Sequence, residues 1–299
     1  MGEATPPPTA LVYVNGELRP AGETALPLSD QGVLYGAGFF ETFRTSGGRA
    51  HHWRYHQRRL AAACATAGLT WPQRALAADE ERLAEVVAEL LRAAGAVDAV
   101  FRYTITAGAA DGGPAEFLTL RALPAAAPVE GIAVRVLRLR RDNGEWLPRP
   151  KSLNYANAWL GARELARRAA TPHDEGVFLA REHAFVVEGT RQNIVWVRDG
   201  RLCFPDPALG AVAGTALAWA LEQGVPGEAV RATVAELAGA EAVAVLNAVR
   251  GVTPVAELRG EDDAVWRSEW RSARHPVIER LRAQWSEALT ATARGRGGF

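Results

Sequence analysis

Residues 149–159 read Arg-Pro-Lys-Ser-Leu-Asn-Tyr-Ala-Asn-Ala-Trp and hold the only lysine of the chain, Lys151. Lys and Arg together number 34, so every other basic side chain is an arginine. Arginine serves wherever a surface cation is all that is needed, but its guanidinium stays protonated and forms no imine with an aldehyde. A lysine amine can lose its proton in a suitable site and attack a carbonyl carbon. Composition alone leaves two readings of Lys151 open, a chance survivor on a solvated surface or a reactive amine. The surrounding residues favour the second.

The bulk numbers narrow the class. A chain of 299 residues holds one large domain or two medium ones. Hydrophobic content of 48% and charged content of 23% are those of an ordinary globular protein. Net charge is zero, which argues against a domain that holds nucleic acid by its phosphates. Cys64 and Cys203 are too few and too far apart for a disulfide framework or a zinc cluster. No basic segment followed by an apolar run opens the chain, and no apolar stretch reaches the ~20 residues that cross a membrane. A cytoplasmic location is the resulting expectation.

Pattern divides the chain. Residues 1–10 are Pro/Thr-rich and read as a disordered tail. LVYVNGELRP reads as a hairpin turning at Asn15-Gly16, and FFETFRT before Ser46-Gly47-Gly48 as a second. Helices are expected over 54–68 and 80–95, and strands over 99–107 and 117–122. Residues 11–122 thus form a small α+β domain, closed by a Pro/Ala linker at 123–131. In the larger domain, 132–290, IAVRVLRLRR alternates as a half-buried strand would. Lys151 precedes a helix, and strands follow at 176–180, 184–187, 193–198 and 242–246, with helices near 215–223 and 233–239. RGVTPV reads as a loop and 291–299 as a frayed tail.

Several ordered motifs carry a resemblance. KSLNY, with Lys151, HQRRL with Arg59, VVEGTRQNIVW with Glu188 and Asn193, AVAGTALAWAL with Gly214 and Thr215, VLNAVRGVTPV with Asn247 and Ala248, and SDQGVLYGAGFFETFR follow one another in order. Together they resemble the class IV aminotransferases, the pyridoxal-phosphate proteins of fold type IV. That family includes branched-chain and D-amino-acid aminotransferases and 4-amino-4-deoxychorismate lyase. The resemblance runs from about Val12 to Val255. It implies a two-domain D-amino-acid aminotransferase-like architecture of α+β and α/β character: a small N-terminal α+β domain and a larger, mixed α/β, barrel-like C-terminal domain. It also implies a homodimer.

By the same resemblance Lys151 is the Schiff-base lysine and Glu188 faces the pyridine nitrogen. Arg59 and the start of the Gly214-Thr215 helix hold the phosphate, with Asn247 and Ala248 closing its other side. The opening segment, with Tyr35 and Phe40, lines the substrate pocket. A carboxylate keeps the ring nitrogen protonated so that the ring accepts electrons, and a guanidinium with helix N–H groups suits a phosphate. Plainer readings stand beside these. Glu188 reads also as a turn carboxylate, Thr215 as an N-cap, Tyr155 as a core residue or a partner of the cofactor's 3-oxygen, and Asn154 as structural. Of two adjacent arginines on a helix, such as Arg58 and Arg59, one usually faces solvent. Arg44 and Arg102 read either as clamps on a substrate carboxylate or as outward strand cations. His52 and His56, four apart, lack the third ligand of a metal site.

Within the family the residues divide. Asn247-Ala248 follows the lyases, and Ala216 stands where branched-chain enzymes usually carry threonine. TAGAADGGP at 106–114 lacks an arginine that one lyase type carries there, and Ala37 replaces a common aspartate. The expectation is an aminotransferase acting on an amino acid. The lyase, which makes 4-aminobenzoate and pyruvate, is the close alternative, and a non-catalytic cofactor-binding relative a third.

Overall fold

The computed structural model describes residues 10–70, 75–110, 112–141 and 149–295. These fall into two compact units. The N-terminal unit contains the residues up to Pro124, Pro150–Tyr155 and those from Glu287 onward, and the C-terminal unit contains Ala125–Arg149 and Ala156–Ser286. Residues 150–155, placed by sequence within 132–290, group with the N-terminal residues.

The N-terminal unit is built on β1 (Leu11–Val14), β2 (Glu17–Pro20), α1 (Gln31–Tyr35), β3 (Gly38–Ser46), β4 (Arg49–Ala50), α2 (Trp53–Thr66), α3 (Glu80–Ala94), β5 (Val100–Thr106) and β6 (Glu116–Arg121). Its six strands form one antiparallel sheet in the order β2-β1-β6-β5-β3-β4. Asn15 and Gly16, both at positive φ, make the tight turn of the first hairpin. Asp79 caps α3 on the Arg82 N–H, Gly95 ends it in the left-handed region, and Leu83, Val86, Val87, Leu90 and Leu91 form its buried stripe. Period two then sorts β3. Phe39 and Phe43 enter the core with Tyr103, Phe101 and Leu118, beneath α2 and α3. Phe40, Thr42 and Arg44 point to the other face, opposite Thr104, Arg102 and Val100 of β5.

The C-terminal unit runs through β7 (Ile132–Arg141), α4 (Ala156–Arg168), β8 (Glu175–Ala180), β9 (Val186–Gly189), β10 (Asn193–Arg198), β11 (Arg201–Pro205), α5 (Thr215–Leu221), β12 (Gly227–Val230), α6 (Val234–Ala238), β13 (Ala242–Asn247), β14 (Gly251–Arg259) and β15 (Val265–Arg267). The sheet order is β12-β11-β10-β13-β14-β7-β8-β9, with β15 on β14. β7 lies parallel to β8 and β14, while most other pairs are antiparallel, so the sheet is mixed. The Val186 N–H on β9 donates to the Ala232 carbonyl just past β12 (2.8 Å), which brings the two ends of the sheet together and curls it. The last helix, α7 (Pro276–Ala293), begins among C-terminal-unit residues and ends among those of the N-terminal unit.

Three expectations are corrected. β7 is not half-buried. Flanked by parallel neighbours, it is covered on both sides over most of its length, and Arg135 is buried on Asp174 (3.2 Å) and Asp263 (3.0 Å). RGVTPV is not a loop but the start of β14. Pro254 is accommodated because it pairs with β13 at a point where pairing with β7 has not yet begun. The 291–299 tail is helical to Ala293. It is held where Ser46 donates to the Leu289 carbonyl and Thr292 bonds His51 Nδ1, each at 2.9 Å. The other expected tail, at 1–10, and residues 296–299 lie outside the described residues except for Ala10.

Candidate active site

The residues around Lys151 form a short strand-like addition to β3. Phe40 N–H donates to the Lys151 carbonyl and Leu153 N–H to that of Gly38, both at 2.9 Å, and Phe39 pairs with Ser152. Gly38 makes this approach possible, because a Cβ there would sit 2.8 Å from Leu153 Cδ1, as well as 2.3 Å from the Ile105 carbonyl oxygen of β5. The lysine Nζ lies 4.5 Å from the Phe40 ring centroid and 5.1 Å from that of Tyr155, and the two rings meet edge to face at 5.2 Å. The Arg102 guanidinium stacks 3.6 Å from the Phe40 centroid, which brings Lys151, Phe40, Tyr155 and Arg102 together. Arg44 shares their sheet face, half-buried. Burial pushes its guanidinium below the ordinary arginine value, and Asp98 opposes the shift. Tyr35 is not with them in the core of the unit. It is 73% exposed at the end of α1.

On the opposite face of β3, Glu41 is buried and gathers the H-x-x-R motif of α2. Arg59 donates through Nε at 2.8 Å and also through Nη2, and His56 Nδ1 lies 2.6 Å away. Arg58 is exposed. Burial alone would raise the Glu41 carboxyl, but Arg59 and His56 outweigh it and bring it to about 2. His56 is lowered chiefly by its own burial, with Glu41 acting against that shift. Its neighbour His51 falls to about 2 through burial, then through the nearby His52, Arg44 and His56. Among the described residues, no group of three or more His, Cys, Asp or Glu could hold a metal ion.

In the C-terminal unit, the motif around Glu188 clasps one residue. Glu188 Oε2 accepts the Val212 N–H at 2.9 Å, and Asn193 Nδ2 donates to the Val212 carbonyl at 3.0 Å. The five-residue spacing across the β9–β10 turn sets these two side chains on both backbone groups of Val212. Gly214 follows, and a Cβ there would meet Asn193 Oδ1 at 1.6 Å. Gly214, not Thr215, is the N-cap of α5; Thr215 is its buried first residue. Asn247 turns its Oδ1 inward to accept the N–H groups of Val249 (3.0 Å) and Arg250 (2.7 Å), shaping the β13–β14 turn that carries Ala248.

Two functional supports escape the sequence reading. Arg141, at the end of β7, is buried and donates through Nη2 to Glu188 Oε1 and through Nη1 to Asn157 Oδ1 (2.8 Å). Glu175, buried at the start of β8, accepts from Thr190 N–H (2.9 Å) and Gln192 Nε2 (2.8 Å), and so fixes the turn between Glu188 and Asn193. A charged residue at the edge of an apolar strand is the one local signal either gives.

The profile of the family described as "Amino-transferase class IV" matches residues 38–258, and the chain belongs to that family. It is 29% identical over 262 residues to a putative branched-chain-amino-acid aminotransferase of Methanocaldococcus jannaschii, covering 83% of this chain and 88% of the relative. It is 31% identical over 210 residues to the aminodeoxychorismate lyase of Bacillus subtilis, covering 67% and 68%. The crystal structure of 4-amino-4-deoxychorismate lyase from Pseudomonas aeruginosa superposes with a TM-score of 0.76 at 28% identity, over 93% of this chain and 98% of that one. The fold is that of fold type IV, a small antiparallel-sheet domain and a mixed, curled-sheet domain, and the chain is an enzyme of the aminotransferase and aminodeoxychorismate lyase family.

Proposed function

We propose that this chain is a pyridoxal-phosphate-dependent aminotransferase that acts on an amino acid and carries its cofactor on Lys151. The observation that carries the reading is the placement of the chain's one lysine amine, beside Phe40 and Tyr155 and on the sheet face that also bears Arg44 and Arg102. The residues fit the group. A primary amine is present for an aldehyde, and Glu188 is a buried carboxylate with acceptor capacity left over. Bound pyridoxal phosphate supplies the aldehyde and a ring that takes up the electrons of the bond broken at the substrate's α-carbon.

Lys151 would hold that aldehyde through its amine and, when free, would carry a proton at the substrate's α-carbon. Glu188 accepts from the ring nitrogen. Tyr155 bonds the 3-oxygen, and Asn193 and Gly214 shape the approach. Arg59, held on Glu41 through Nε and Nη2, meets the phosphate, and Thr215, Asn247 and Ala248 complete that cradle. Arg102 and Arg44 hold the substrate carboxylate, with Phe40 and Tyr35 bounding the side chain. A homodimer is the expected assembly, and sedimentation of a monomer at micromolar concentration would rule it out.

Ala216 and Ala248 favour a second reading, the 4-amino-4-deoxychorismate lyase, and the relatives include both activities. Adding pyridoxal phosphate should produce a visible absorbance band, and borohydride should fix the label at residue 151. Absence of both leaves a non-catalytic relative. Pyruvate release from aminodeoxychorismate without a keto-acid acceptor identifies the lyase, while amino transfer that requires the acceptor identifies the aminotransferase.

A further inference from the structure

Four glutamates are buried among the described residues, and they differ in how many hydrogen bonds they accept. Glu175 accepts four, from Gly176 N–H, the Thr190 N–H and hydroxyl, and Gln192 Nε2. Glu116 is held by three donors, the Tyr13 and Tyr103 hydroxyls and the Leu76 N–H. Glu41 also takes three, one from His56 and two from Arg59. Glu188 accepts only two, one on each oxygen. A carboxylate can accept about four, and a buried one with acceptor capacity to spare is costly unless something else uses it.

Arg141 is as firmly placed as Glu188 is under-filled. It is 4% exposed, its Nη1 is anchored on Asn157, and Asn157 Nδ2 in turn donates to the Arg140 carbonyl at 3.1 Å. The guanidinium carbon lies 4.7 Å from the Phe178 ring centroid, and Nε is buried without a hydrogen-bond partner. An arginine in that setting cannot swing away, and its charge is permanent.

We infer that Arg141 is the positioning residue that fixes Glu188 and balances its charge, so that the carboxylate's unused lone pairs receive the ring nitrogen of pyridoxal phosphate. The inference rests on the cofactor reading proposed above and deepens it. Arg141 acts through Glu188. The Val212 N–H holds one oxygen and the guanidinium the other, which leaves the carboxylate plane no freedom to rotate. Partners of this kind behind a first ligand are worth ~10–100-fold in affinity at metal sites, and a similar factor is expected here.

The test is a titration of cofactor-free protein with pyridoxal phosphate, following the visible band, for the wild type, Arg141→Met, Arg141→Lys, Glu188→Gln and the Arg141→Met/Glu188→Gln double variant. Circular dichroism checks that each variant folds. Arg141→Met should weaken binding ~10–100-fold and shift the band, and Arg141→Lys should recover part of the affinity. In the Glu188→Gln background, removing Arg141 should change affinity less than about threefold, because there is no longer a carboxylate to position. Should Arg141→Met bind like the wild type, or lose the same factor in both backgrounds, Arg141 is an ordinary structural cation and the inference falls. If Arg141→Met does not fold, Arg141→Lys decides: an affinity below that of the wild type with a shifted band supports the inference, while wild-type affinity and band overturn it. A wild type that binds no cofactor overturns the proposed function itself, and the inference with it.

Discussion

Glu41 and Glu188 are both buried and both paired with an arginine, yet one pair is closed and the other open. In the N-terminal unit Arg59 takes Glu41 from the side with two nitrogens, and His56 adds a third contact. In the C-terminal unit Arg141 reaches one oxygen of Glu188 and a backbone N–H takes the other. The closed pair ties a helix to a strand. The open pair sits at a turn with acceptor capacity still available. A buried ion pair is therefore a poor guide to function until its hydrogen bonds are counted: Glu41 accepts three, Glu188 only two.

The largest expected effect concerns the amine itself. Lys151→Ala should lose the borohydride-fixed label and lower turnover by ~10²–10⁴-fold or more, with little change in the unfolding midpoint. Near-wild-type turnover would remove the chemistry that both pairs are supposed to serve. Next comes the closed pair. Glu41→Gln leaves the partly buried Arg59 against a neutral partner and should destabilise the protein by about 3–5 kcal/mol in urea unfolding. Glu188→Gln weakens one arginine bond where Glu41→Gln weakens three contacts, and should cost less; equal costs would erase the distinction between closed and open.

Acid should reveal the same difference. Glu41 is depressed from 4.5 to about 2, so its contribution is present above pH 4.5 and is lost as pH falls toward 2. His51, depressed from 6.5 to about 2, acts in the same direction, stabilising while neutral above pH 6.5 and less as pH falls. Unfolding free energy measured from pH 7 to pH 3 should therefore decline in the wild type and more gently in Glu41→Gln. A smaller change is expected from Arg102→Gln, which should keep the cofactor band and lower kcat/KM about 10–100-fold through loss of a charge-assisted bond to substrate. Smallest of all is Arg58→Ala, within about 0.5 kcal/mol in the same urea assay, because that side chain faces water.

The features legible in sequence were the local ones. Alternation in FFETFRT assigns Phe40 and Arg44 to one face of β3, and the turn residues Asn15-Gly16 adopt the positive φ that their hairpin requires. What stayed hidden came from distant pairing. Arg141 and Glu188 are 47 positions apart, so nothing near either one announces the other. Glu116 and Glu175 look like polar punctuation until the tyrosines and the turn around them are in place. β14 is disguised by Pro254, whose missing N–H matters only once its neighbours are known. The end of α7 reads as a tail because its anchors, His51 and Ser46, lie more than 200 residues earlier.

The six residues from Pro150 to Tyr155 belong with the first 124, although residues of the other unit precede and follow them. A gene fragment stopping at Pro124 would encode every strand of the six-stranded sheet and still lack Lys151. Shuffling between relatives meets the same constraint: a swapped N-terminal block needs its own Lys151 peptide and its own final helical turns. Heredity must pass on three separated stretches of code as one working piece.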